Sequence, residues 1–156
     1  MTHGLIFLLL VHIICAVIWV GGMVFAHFML RPASLAFDPP VRLPLWRRVF
    51  ERFFPTVWVL IVLLLATGFG MMFMAFGGFA GSALYIQIMM GIGIVMMLVY
   101  AHLYFVPWQR MRRALDAGDF PKAGAAMNQI RQIVTINMVL GLFVVAIAAT
   151  GRYWGT

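Results

Sequence analysis

Acidic side chains are almost missing from this chain: four Asp and Glu stand against eleven Lys and Arg in 156 residues, a net charge of +7. All four (Asp38, Glu51, Asp116 and Asp119) fall outside the long apolar runs. A proton relay through carboxylates inside a membrane is therefore excluded. Cysteine is nearly absent too. Cys15 alone gives neither a disulfide framework nor a Cys/His cluster at zinc spacing. A basic segment before the first apolar run is lacking, and that run is too long for the core of a signal peptide. Ile14, ahead of Cys15, is not small, which argues against a lipoprotein-type site. Charged residues make up only 10% of the chain against 65% hydrophobic. That proportion cannot clothe a soluble core, so the expectation is one integral membrane domain spanning residues 1–156.

What the chain does have is four apolar stretches, at 5–30, 55–76, 83–106 and 133–153, each near the ~20 residues a bilayer requires. Residues 77–82 form a short uncharged turn. Two basic loops, 31–54 and 107–132, hold every Lys and Arg except Arg152. The positive-inside rule puts both loops in the cytoplasm and both termini outside. Charge so placed reads as membrane orientation, not nucleic-acid binding. The arginines serve first as lipid-headgroup anchors; Arg31 and Arg110 are the foremost candidates to neutralise acidic groups of a cofactor. The loops are expected to be helical. Pro44 would begin one helix through Trp46, Val49, Phe50 and Phe53. Residues 108–117 would continue the third span to Gly118, and Asp119 would cap a new helix that tolerates Pro121 early.

An internal echo organises the rest. Ala26-His27 followed by Pro32 is matched by Ala101-His102 followed by Pro107, at the same depth of spans one and three. Ala66-Thr67-Gly68 on span two is matched by Ala149-Thr150-Gly151 on span four, each behind a leading Thr56 or Thr135. The fold class expected is all-α: a membrane four-helix bundle of two pseudo-repeated helical hairpins. Applying the His27–His102 offset to His12 lands on Gln87. The prediction is a His27/His102 layer near the cytoplasm and a His12/Gln87 layer nearer the outside.

Neutral imidazoles projecting inward from two facing helices are what axial ligation of haem iron needs, and helix bundles build such sites in their cores. Trp19, two helical turns from His12, would line the pocket, with Gly22 and Gly91 making room for a flat ligand or for close helix approach. Methionines are abundant. Met71, Met72, Met89 and Met90 are alternative ligands because thioethers suit Cu(I), while filling irregular apolar packing is their ordinary use. Thr135 and Asn137 are expected to hydrogen-bond between helices. His3 is expected to be solvated.

The run from His12 through Trp19 to Gly22 resembles the opening segment of the HemJ-type protoporphyrinogen oxidases. From Trp19 through Phe25 to Leu30-Arg31-Pro32 the likeness is closer to the CopD family, named for copper resistance. Residues 84–88 and 100–104 also resemble HemJ. The likeness implies a four-helix inner-membrane protein, with haem b and His12 as its ligand in the HemJ branch and copper uptake in the CopD branch. HemJ-type proteins carry a lysine near the position of Gln87, and its absence counts against porphyrinogen oxidation.

The expectation is thus a haem b-binding protein of the bacterial inner membrane with a redox or electron-transfer role, an oxidoreductase if it is an enzyme. Histidines from spans one and three hold the iron; quinone or a redox protein is the partner, and a homo-oligomer is left open. A CopD-type copper transporter using the same histidines is the alternative. A non-enzymatic membrane subunit is the second.

Overall fold

Helix dominates throughout the described residues, 2–154, of the computed structural model. Helix α1 (Thr2–Phe25) passes through one π-helical turn (Ala26–Leu30) into the short α2 (Arg31–Ser34). Then come α3 (Pro39–Phe76), α4 (Leu84–Phe105), α5 (Pro107–Asp116) and α6 (Phe120–Thr150). Four helical stretches, His3–Ser34, Pro39–Phe76, Leu84–Asp116 and Phe120–Tyr153, are long and apolar enough to cross a membrane. This is a multi-pass membrane protein, and among the described residues it has no strand.

The π turn has a local cause. Pro32 has no N–H to give the carbonyl four residues back, and its ring crowds that carbonyl. The chain widens by one residue before the proline, so the Arg31 amide donates to Ala26 O, five residues back. The chain reversal after α2 is pinned by buried Ser34. Its hydroxyl donates to Arg31 O (2.8 Å) and its oxygen accepts from Trp46 Nε1 (3.0 Å).

Helix α3 begins at Pro39 and runs unbroken through Pro44 and Pro55. Pro44 is therefore interior, not first-turn. At 38 residues α3 is ~57 Å long, against the ~30 Å of hydrocarbon in a bilayer. It ends where Gly77 takes a left-handed φ of +67°, a conformation open to glycine. Gly118 does the same after α5 (φ +68°). Asp119 then caps α6, its carboxylate accepting from the Lys122 amide at 3.0 Å. The Lys122 side chain and amide hold that carboxyl below its usual pKa.

Helix α1 packs along α3, and α4 along α6; α6 also meets α1 and α3, leaving α1 and α4 at opposite corners. Toward the basic end the middle is filled by rings. Phe50 and Phe54 stack at 4.7 Å, Trp108 meets both edge-on at 5.7 and 5.3 Å, and Tyr100 meets Phe54 at 6.0 Å. Each such pair contributes ~0.5–1.5 kcal/mol beyond the area it buries. Tyr100 Oη donates to Phe54 O at 2.6 Å, so the hydroxyl that enters with the ring is satisfied.

Candidate functional site

His12 of α1 and His27 of the π turn that follows it face inward, and each is held by a threonine on a different helix. The Thr67 hydroxyl donates its only proton to Leu63 O (2.6 Å), so its oxygen must accept the contact from His12 Nδ1 at 2.8 Å. With the hydroxyl proton on Leu63 O, the matching His12 tautomer carries its proton on Nδ1 and its lone pair on Nε2. A histidine oriented through one nitrogen is ready to bind a ligand through the other. Gly68 shapes the seat: a Cβ there would lie 3.3 Å from His12 Cε1. Thr135 repeats the device, donating to Arg131 O (2.9 Å) and accepting from His27 Nδ1 at a looser 3.3 Å.

The surroundings of the two rings differ. His27 lines a cleft of about 30 Å³ with Arg31, Trp46, Met127 and Arg131, room for a water or two. Two guanidiniums beside it repel a cation and suit an anion. His12 has no charged residue within two helical turns on α1, and Cys15, buried at 3% exposure, lies one turn further along.

The predicted histidine pairing does not form. His102 is exposed on the outside of α4, while His27 faces α6. The sequence echo is broken by backbone geometry. Before Pro32 the helix widens into a π turn; before Pro107 it stays α-helical to Phe105 and breaks at Val106 (φ −113°, ψ −79°). One extra residue in a turn rotates the helix on its N-terminal side by about 100° relative to the helix on its C-terminal side. Equal spacing in the chain thus becomes different faces of the bundle.

Gln87 is exposed as well. Its Nε2 donates to Phe79 O (3.2 Å) and Ser82 O (3.1 Å), closing the turn before α4 instead of facing His12. The space expected at Gly22 is taken by Phe53, whose Cε2 lies 2.6 Å from where a Cβ would be. Gly91 has nothing within 4 Å and opens outward. Trp19 is a core ring, edge-on to Tyr100 at 6.1 Å. Arg31 borders the His27 cleft, but Arg110 lies on a separate groove between α5 and α6 with Arg113 and Lys122. Met72 is buried, while Met71, Met89 and Met90 are half-buried.

Haem b does not fit this arrangement. His12 and His27 are ~22 Å apart on one helix, His102 faces away, and aromatic rings occupy the interior. Ligand pockets of that class span ~300–1,000 Å³; the cleft at His27 holds about 30 Å³, and the groove of about 530 Å³ at Arg110 is lined by none of the three histidines. Among the described residues no three His, Cys, Asp or Glu side chains converge as a metal site.

Thr67 and Thr135 are visible in the sequence only as rare hydroxyls within apolar runs, without a sign of which ring each holds. The two Ala-Thr-Gly segments meet different rings. Gly68 lies against the His12 ring, and Gly151, of the second Ala-Thr-Gly, lies against the Tyr85 ring.

The family described as copper resistance protein D, CopD, matches residues 47–150, which covers α4, α5 and α6 and most of α3. Comparison with curated proteins and with solved structures finds no match. With two thirds of its length aligned to that description, the chain belongs to the CopD family of membrane proteins.

Proposed function

We propose that this protein carries copper across the bacterial inner membrane, with His12 as the ligand through which the ion enters the bundle. The observation that carries the reading is the Leu63–Thr67–His12 chain of hydrogen bonds, which presents an unprotonated Nε2 inside an apolar bundle. Family membership points to the metal, which is the cargo. Imidazole and thioether groups suit copper, and carboxylates, which harder cations need, are absent from the apolar runs 5–30, 55–76, 83–106 and 133–153. By the charge rule the basic end is cytoplasmic, which puts His12 in the outer half. An ion taken from that side would meet His12 before the interior of the bundle. The residues bind and release; no bond to the protein is made or broken covalently.

Copper accumulation in cells expressing the chain tests this. His12→Ala should lower uptake toward that of cells lacking the protein, at equal protein level in the membrane. Uptake by the His12→Ala protein equal to that of the unaltered chain would refute the proposal.

A further inference from the structure

Among the described residues two buried side-chain polar atoms have no partner, Arg112 Nε on α5 and Asn137 Oδ1 within the membrane-spanning part of α6. Asn137, on α6, is 2% exposed; its Nδ2 donates to Met96 O at 3.1 Å, but its Oδ1 accepts from nothing. An amide oxygen withdrawn from solvent and left unpaired is costly, so something is expected to occupy the space it faces.

Buried thioethers come from three of the helices that meet near that level. Met23 (2% exposed), Met96 (4%) and Met138 (4%) come from α1, α4 and α6, and all three belong to one contiguous buried core. Their register follows from a close approach. A Cβ on Gly141 would lie 2.8 Å from Val20 Cγ2 and 3.1 Å from Met96 Cε, so the three helices meet there. Helices α1 and α6 run antiparallel. Met23 is three residues past Val20, and Met138 and Asn137 are three and four residues before Gly141. Both sets therefore lie ~4.5–6 Å toward the basic end from that meeting point. Met96 spans the two levels: its carbonyl takes the bond from Asn137 Nδ2, and its Cε reaches the Gly141 level. The nearby polar group Tyr100 Oη is spent on Phe54 O.

We infer that Met23, Met96 and Met138, with Asn137 Oδ1 beside them, form a Cu(I) site at the centre of the bundle. Three soft sulfurs match the preference of Cu(I) and offer little to Mg²⁺, Ca²⁺ or Zn²⁺. The set is uncharged at every physiological pH, so the ion keeps its single positive charge and is not held too firmly to leave, as conduction requires. Asn137 Oδ1 turns the negative end of the amide dipole toward that charge. The same methionines could serve as packing alone, and the experiment separates the two roles. The inference rests on the copper reading and extends it to a second station, one membrane layer deeper than His12.

The test uses the full chain in detergent, loaded anaerobically with Cu(I). Metal affinity is read by competition with a coloured Cu(I) chelator, and the ligands by copper X-ray absorption. The expected spectrum of the unaltered protein contains sulfur neighbours, which needs no variant to observe. Met96→Leu and Met138→Leu, close in volume to the originals, should each weaken Cu(I) at this site at least tenfold. The triple Met23→Leu, Met96→Leu, Met138→Leu protein should lose the sulfur neighbours while eluting from size exclusion as the parent does. A copper environment of nitrogen alone that His12→Ala abolishes would overturn this site and leave the copper reading standing. Sulfur scattering and affinity unchanged in the triple variant would overturn it as well. Protein that neither binds Cu(I) nor raises cellular copper would overturn both.

Discussion

Thr67→Val is the sharpest probe of the histidine device. Valine keeps the shape and removes the oxygen that accepts from His12 Nδ1 at 2.8 Å and donates to Leu63 O at 2.6 Å. Leu63 O keeps its place in the helical ladder, so the loss falls on the interhelical bond. Side-chain hydrogen bonds between membrane helices average ~0.6 kcal/mol and reach ~1.7. Burial of Thr67 and the short distance place this one toward the upper end, about 1–1.7 kcal/mol of stability. The effect on the ligand is larger. An imidazole without its orienting partner can turn and can move its proton to Nε2, and such losses weaken metal binding ~10–100-fold. Thr67→Ser, which keeps the oxygen, should behave as the parent. Thermal unfolding in detergent measures the first quantity and anaerobic Cu(I) competition the second. If Thr67→Val binds Cu(I) as tightly as Thr67→Ser, the orienting role assigned to this hydroxyl is wrong.

Packing sets two further outcomes. His102→Ala, an exposed change, should alter stability by no more than ~0.5 kcal/mol and leave copper uptake intact; loss of uptake would restore His102 to the site. Gly151→Ala would drive a methyl into the Tyr85 ring and should cost ~1–3 kcal/mol by overpacking. Adding Tyr85→Ala should recover much of that in the double variant, as thermal unfolding would show.

Features fixed by neighbours in the chain were legible in the sequence. The four spans followed from unbroken apolar runs. The stop at Gly118 and the cap at Asp119 are decided within one turn of helix, and both occur where local chemistry puts them. The histidine layers depended on something else, the angular register carried across some thirty residues. A single widened turn before Pro32 changed that register on α1 and left α4 unaffected. Identical His-to-Pro spacings could not reveal it, because the response to a missing N–H depends on what the helix packs against. The length of α3 was hidden for a related reason. Pro55 suggests a boundary, yet a helix continues through proline when neighbouring helices hold it in place, as Phe54 and Val57 do in the core. Asn137 was expected to bond between helices and does so through its nitrogen. Its oxygen, the informative half, could be judged only with every neighbour in position.

The excess length of α3 over the hydrocarbon layer gives the molecule two solvents. Near the uncharged turn, lipid tails compete on equal terms with every apolar contact, so cohesion there depends on fit. At the arginine-bearing end, Trp46, Phe50 and Trp108 sit among helices that reach past the lipid. Burying those rings gains the full benefit of escaping water. Urea or guanidinium should therefore loosen the arginine-bearing half first, and changes in bilayer thickness should act on the other.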